Sequence, residues 1–164
     1  MSVASLRKRT EQAWINARPD LDLSPMEVVG QINRIAAALE LAVEPIYADA
    51  GVSATEVQLL VPLRYSTEQT AIRIAEQLGM TRAGVSKALS GLERRGFVER
   101  ISNPSDRRSA FVRLTDSGRA VIDEVFPKEI RAHAVLLEAL GGERRRILSS
   151  LNLLADAVDA DTAR

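Results

Sequence analysis

The sequence predicts a mainly α-helical fold with one small β-hairpin, and two neighbouring stretches carry that reading. From Thr70 onward, one helical run places Ile72, Ala75 and Leu78 on a single face and stops at Gly79, a residue that accepts the left-handed backbone of a helix exit. Thr81 then caps a second helix with Val85, Leu89 and Leu92 at helical spacing toward the first. Directly afterwards come two short segments, Phe97 to Ile101 and Ala110 to Leu114, and in the second Ala110, Val112 and Leu114 alternate with Phe111 and Arg113. Helix, turn, helix and hairpin in this order make a winged helix-turn-helix, and the long helical runs on either side supply a helical dimerisation scaffold.

The flanking elements follow from their start and stop signals. Residues 5 to 17 predict a first helix, with Leu6, Ala13, Trp14 and Ala17 on one side and Pro19 ending it. Ser24, Pro25, Met26 and Glu27 form a capping box with proline at the first helical position, and Leu23 can staple against Val28. Val28, Ile32, Ile35, Leu39 and Ile46 continue that stripe until Pro45 kinks or ends it ahead of Ala50 and Gly51. A second capping box, Ser53 to Glu56, opens a helix through Val57, Leu60 and Leu63, with Pro62 leaving the Gln58 carbonyl without its helical donor. Thr67 or Thr70 caps the next helix. After the hairpin, Thr115 caps a long helix from about Asp116 to Leu140, carrying Val121, Val125 and Leu137 and bent at Pro127. Gly141 and Gly142 stop it, and a last helix from Glu143 spaces Ile147, Leu151, Leu154 and Val158 along one side.

The second helix of the central pair leaves Arg82, Ser86 and Lys87 on its solvated face, which suits a DNA major groove. The Ser86 hydroxyl can pair with several base edges and Lys87 can reach guanine O6 and N7, while Arg82, in the first turn, can serve either bases or phosphate. Arg94 and Arg95 at its end are open to two readings, phosphate contact or solvation of the helix end, with solvation expected for at least one. The hairpin tip from Ser102 to Arg108 is dense in turn-forming residues and ends in the adjacent cations Arg107 and Arg108, which can reach a narrow minor groove. Net charge is zero, yet between Arg64 and Arg113 ten cations stand against five anions, leaving twelve and seventeen elsewhere. The positive charge is concentrated where a DNA-binding lobe is expected.

Composition excludes several classes. There is no cysteine, hence no disulfide and no thiolate metal site, and the single histidine, His133, has no partner at a spacing that zinc or a catalytic triad needs. No phosphate-binding glycine loop and no paired acid/base carboxylates stand out, so neither an enzyme nor a cofactor is expected. The N-terminus has cations without an apolar run behind them, and no stretch approaches membrane length, so the expectation is a soluble cytoplasmic protein that does not engage membranes. With 164 residues, one domain is expected.

The succession Leu-Gly-Met-Thr, Val-Ser-Lys, Leu-Glu-Arg-Arg-Gly-Phe-Val-Glu-Arg, Asp-Arg-Arg and Val-Arg-Leu-Thr-Asp-Ser-Gly-Arg resembles the MarR family of bacterial transcriptional regulators over most of the chain. The resemblance implies that Asp106 orients Arg108, the arginine of the wing that enters the minor groove. The stretch from Trp14 to Arg34 resembles the PecS-like, urate-responsive branch, which has an extra N-terminal helix. In that branch a tryptophan stacks on the ligand, an acidic residue holds it and two arginines pair with its charge. Trp14 matches the tryptophan and Arg100 one arginine, whereas Gln58 occupies the acidic position and Ala88 that of the other arginine. The implied pocket of Trp14, Gln58 and Arg100 therefore fits a small aromatic or carboxylated ligand other than urate; otherwise Trp14 is a core anchor.

The expected layout is one domain over 1–164, with scaffold helices in 1–50, the DNA-binding lobe in 53–115 and C-terminal dimerisation helices in 116–164. The expected partners are double-stranded DNA, a second copy of the chain and a small aromatic acid. The function that follows is a sequence-specific homodimeric repressor released from a pseudo-palindromic operator by its ligand; the alternative is a constitutive DNA-binding or architectural protein without effector.

Overall fold

The computed structural model describes residues 3–66, 69–106 and 108–162. The elements are α1 (Val3–Ala17), α2 (Ser24–Asp49), α3 (Ala54–Leu63), β1 (Gln69–Thr70), α4 (Ala71–Gln77), α5 (Arg82–Arg94), β2 (Val98–Ser102), β3 (Ala110–Leu114), α6 (Asp116–Leu137), a 3-10 segment Glu138–Glu143 and α7 (Arg144–Thr162). The fold is mainly α with a small antiparallel sheet, as expected, but the sheet has three strands in the order β1-β3-β2. The addition is β1, where Gln69 faces Val112 and Thr70 faces Phe111. Two residues are too few to show alternation.

The chain divides into two compact units, Met1–Leu41 and Ala42–Arg164. In the first, α1 ends ahead of Pro19 as expected, and the Asp22 carboxylate accepts both the Ser24 N–H and the Ser24 hydroxyl at 2.9 and 3.0 Å. The start of α2 is thus met by Asp22 rather than by a Ser24 to Glu27 capping box. Those hydrogen bonds, the backbone one above all, hold the Asp22 carboxyl below its ordinary range. Val28, Ile32 and Ile35 share a stripe that stays exposed, so the staple of Leu23 on Val28 does not bury Val28. Trp14 is 53% exposed and is not a core anchor of this chain.

The second unit holds the core. Tyr47 and Val43 on the end of α2, Leu59, Leu60 and Leu63 on α3, Ile74 and Ala75 on α4, Val85, Leu89 and Leu92 on α5, Val112 and Leu114 on β3, and Ile122 and Val125 on α6 are all buried in one cluster. Pro45 lies inside α2, which runs on to Asp49. The Ser53 capping box forms in full: the Ser53 hydroxyl accepts the Glu56 N–H and the Glu56 carboxylate accepts the Ser53 N–H. Thr70, not Thr67, caps α4, for Thr70 Oγ1 accepts the Arg73 N–H at 3.3 Å; Thr67 lies outside the described residues. The buried face of α4 is Ile74 and Ala75, while Ile72 is 46% exposed. On a seven-residue helix two turns leave the apolar phase underdetermined, and the neighbouring isoleucine wins.

Thr115 caps α6 through the Gly118 N–H. This helix ends at Leu137, three residues short of expectation, and the 3-10 segment carries it to Gly141, whose φ of 46° breaks the helical path before α7 begins at Arg144. Between α2 and α6, burial and the adjoining Glu129 carboxylate push the Tyr47 phenol well above its ordinary pKa. His133 is half-buried one turn further along α6, in keeping with a structural histidine.

Candidate nucleic-acid interface

The helix-turn-helix is built from local signals that agree. Gly79 leaves α4 with φ 61°, and the Met80 N–H returns to the Ala75 carbonyl at 2.9 Å, closing the exit. Thr81 Oγ1 accepts the Gly84 N–H at 3.1 Å and starts α5. Because Val85, Leu89 and Leu92 are fully buried, the rest of α5 has no freedom to rotate, and Arg82, Ser86 and Lys87 are exposed as the spacing requires. Arg82 leans on Glu76 at 3.2 Å, a pair exposed on both sides that DNA can displace at small cost. Lys87 has no ion pair among the described residues and presents its ammonium outward.

The wing tip is organised by a residue that the sequence did not single out. Asn103 is buried; its Oδ1 accepts the Ser105 N–H at 2.9 Å and its Nδ2 donates to Ser109 Oγ at 2.8 Å, tying the two strand ends together. The only available signal was an Asn-Pro pair in a turn, which marks a bend but not burial. Asp106 Oδ1 accepts the backbone N–H of Arg108 at 2.9 Å. The carboxylate therefore shapes the loop from which the exposed Arg108 side chain projects, rather than gripping its guanidinium. Arg107 lies outside the described residues.

Several other cations of the lobe are committed to carboxylates. Arg113 meets Glu99 at 2.7 Å across the registered β2–β3 pair, and Arg100 meets Glu93 of α5 at 3.0 Å. Both adjacent arginines are exposed, but Arg95 meets Glu56 at 2.9 Å whereas Arg94 has no ion pair among the described residues, so the two part ways. Of the residues expected to hold a ligand, Gln58 is exposed on α3. Arg100 is paired with Glu93 rather than with Gln58, and Trp14 belongs to the first unit. Among the described residues no group of three or more metal-ligating side chains is found.

The model of the MarR family matches residues 52–110, the span from the start of α3 to the start of β3. The HTH-type transcriptional regulator PecS of Dickeya dadantii (strain 3937) is 31% identical over 143 residues, covering 85% of this chain and 86% of that protein. The chain belongs to the MarR family. Two solved structures of this kind hold nucleic acid. The repressor CouR, bound to a 23-mer DNA duplex, is 29% identical with a TM-score of 0.72, covering 82% of this chain and 98% of its own. Sco3205 of Streptomyces coelicolor, a MarR family regulator in complex with DNA, is 27% identical with a TM-score of 0.72, covering 83% and 88%. This MarR-family chain is a DNA-binding transcriptional regulator and not an enzyme. Among its described residues no helix is long and apolar enough to cross a membrane.

Proposed function

We propose that this regulator is a cytoplasmic homodimeric repressor whose two α5 helices read successive major grooves through Arg82, Ser86 and Lys87, while the wings bring Arg107 and Arg108 to the flanking minor grooves. The observation that carries the reading is the fixed phase of α5: three fully buried apolar side chains hold the opposite, polar face outward. Dimerisation is supported by the exposed apolar side chains Leu148 and Leu151, one turn apart on one side of α7, since helices of this kind are stable when a second surface covers them. The operator then contains inverted half-sites about 10–10.5 bp apart, centre to centre.

Release by a small aromatic or carboxylated ligand is the second half of the proposal, resting on Trp14, Gln58 and Arg100. The exposed indole offers an aromatic face and Arg100 a cation, but Arg100 must exchange Glu93 for the ligand's carboxylate. That existing pair is what favours the alternative of a constitutive DNA binder. The test begins by selecting bound duplexes from a random pool. A panel of phenolic and aromatic acids is then titrated against Trp14 emission and against binding of the selected duplex. An effector quenches Trp14, the only tryptophan, and weakens binding; Gln58→Ala or Arg100→Ala reduces both responses. Because a ligand shifts a population only through differential affinity, quenching without release makes Trp14 a bystander. Silence in both signals favours the constitutive binder.

A further inference from the structure

Arg95 directly follows the last residue of α5 and stands next to Gly96, whose φ of 74° turns the chain into β2. Its guanidinium is engaged on three sides. Nη1 donates to Glu56 Oε1 at 2.9 Å, Nη2 donates to the Gly51 carbonyl, and the group lies 4.7 Å from the centre of the Phe97 ring. Glu56 is itself fixed, for its Oε2 accepts the Ser53 N–H at 2.8 Å in the capping box of α3, and its side chain is largely buried. One carboxylate therefore joins the first turn of α3 to the end of α5. The opposite flank of the same chain end is also held. Thr115 Oγ1 donates to the Gly96 carbonyl at 2.5 Å, the Thr115 N–H donates to the Phe97 carbonyl at 3.1 Å, and Gly118 abuts that carbonyl so closely that a Cβ has no room.

The two ends of α5 thus differ. Among the described residues, the N-terminal end, which bears Arg82, Ser86 and Lys87, has the Thr81 cap and one exposed ion pair, Arg82–Glu76, beyond its core contacts. We infer that Arg95, seated on Glu56, is a positioning residue that sets the angle of α5 for base reading, and is not one of the cations that touch DNA. The inference rests on α5 being the base-reading helix. A helix of thirteen residues is about 20 Å long, so a tilt of about 10° about its C-terminal end moves the N-terminal face by about 3 Å, enough to lose a hydrogen bond. A planar guanidinium suits the role. It meets a carboxylate, a carbonyl and an aromatic face at once, which the point charge of lysine cannot do.

The experiment uses the full chain, a duplex that the parent protein selects from a random pool, and a scrambled duplex of the same length, each over a salt series. Arg95→Lys, Arg95→Ala, Glu56→Gln and the Glu56→Gln/Arg95→Ala double variant are compared, with thermal melting as a check on folding. Positioning predicts that each single variant loses about five- to a hundredfold on the selected duplex, the discrimination carried by one base contact, while the scrambled duplex is bound as before. The double variant is no worse than Arg95→Ala alone, because the contact with Glu56 is already lost in that variant. The salt slope on the scrambled duplex stays constant, and Arg95→Lys does not rescue. A phosphate contact gives the opposite pattern and overturns the inference: Arg95→Ala lowers the salt slope by about 0.9, Lys restores it, and Glu56→Gln binds DNA at least as tightly as the parent. Equal losses on both duplexes, or none, overturn it as well. Should Arg95→Ala fail to fold, Arg95→Lys and Glu56→Gln decide by the same criteria. If the parent selects no duplex, base reading by α5 falls too, whereas selection by the parent with unaffected variants removes only the positioning role.

Discussion

At the scale of single residues, the outward cations of the DNA-binding lobe are sorted by what already holds them. Lys87 has no ion pair among the described residues and Arg108 projects from a loop that Asp106 shapes through the backbone, whereas Arg100 and Arg113 are tied to Glu93 and Glu99. A cation already paired must give up its partner before it gains a phosphate or a base. Lys87→Ala is therefore expected to cost about 1–3 kcal/mol on the preferred duplex and to relax base preference. Arg108→Ala is expected to weaken binding to most sequences and to lower the salt slope by about 0.9. Fluorescence anisotropy over a salt series reads both effects. Parent-like binding by both variants would remove these side chains from the groove-facing surface.

At the scale of elements, local signals were legible and distant ones were not. Ser53, Thr81 and Thr115 announce their helices because a cap and the amide it accepts lie within three residues of each other. Val85, Leu89 and Leu92 fix the phase of α5 over several turns, so its exposed face is readable from the spacing alone. Ile74 was missed because α4 is short, and β1 because its partner, β3, lies across the whole helix-turn-helix. The destination of Arg95 was equally hidden, since nothing in its neighbourhood points to Glu56 or Gly51. Another long-range tie joins α3 to α6, where Arg64 meets Asp123 at 2.6 Å and holds its carboxyl below the ordinary value of 3.8. A carboxyl depressed in the folded state adds stability that is present above its unfolded pKa and is lost as pH falls through the folded one. Acidification from pH 5 to below 3.8 is thus expected to lower the melting point of the parent more than that of Asp123→Asn. Identical pH profiles would show the pair to be thermodynamically silent.

At the scale of the whole molecule, the exposed apolar residues of α7 call for a partner. Removing residues 143 to 164 deletes the exposed Leu148 and Leu151 and is expected to lower the proposed dimer's population, with DNA affinity falling alongside because two half-sites would no longer be engaged together. Sedimentation velocity measures the first effect and anisotropy the second; an unchanged dimer would take α7 out of the interface. The three-stranded sheet has a further consequence. Since Gln69 pairs with Val112 and Thr70 with Phe111, closing the sheet brings together strands separated by the whole of α4, α5 and β2. Such a closure joins positions far apart in sequence, and non-local pairings slow folding because the entropy of closing the intervening chain must be lost before the contact forms. The hairpin of β2 and β3 can form early on a growing chain, yet its outer edge stays open until α4 and α5 have docked. Amides along β3 are thus expected to exchange with solvent in one concerted opening together with those of α4 and α5, so that a half-folded lobe offers the cell no partially competent reader of DNA.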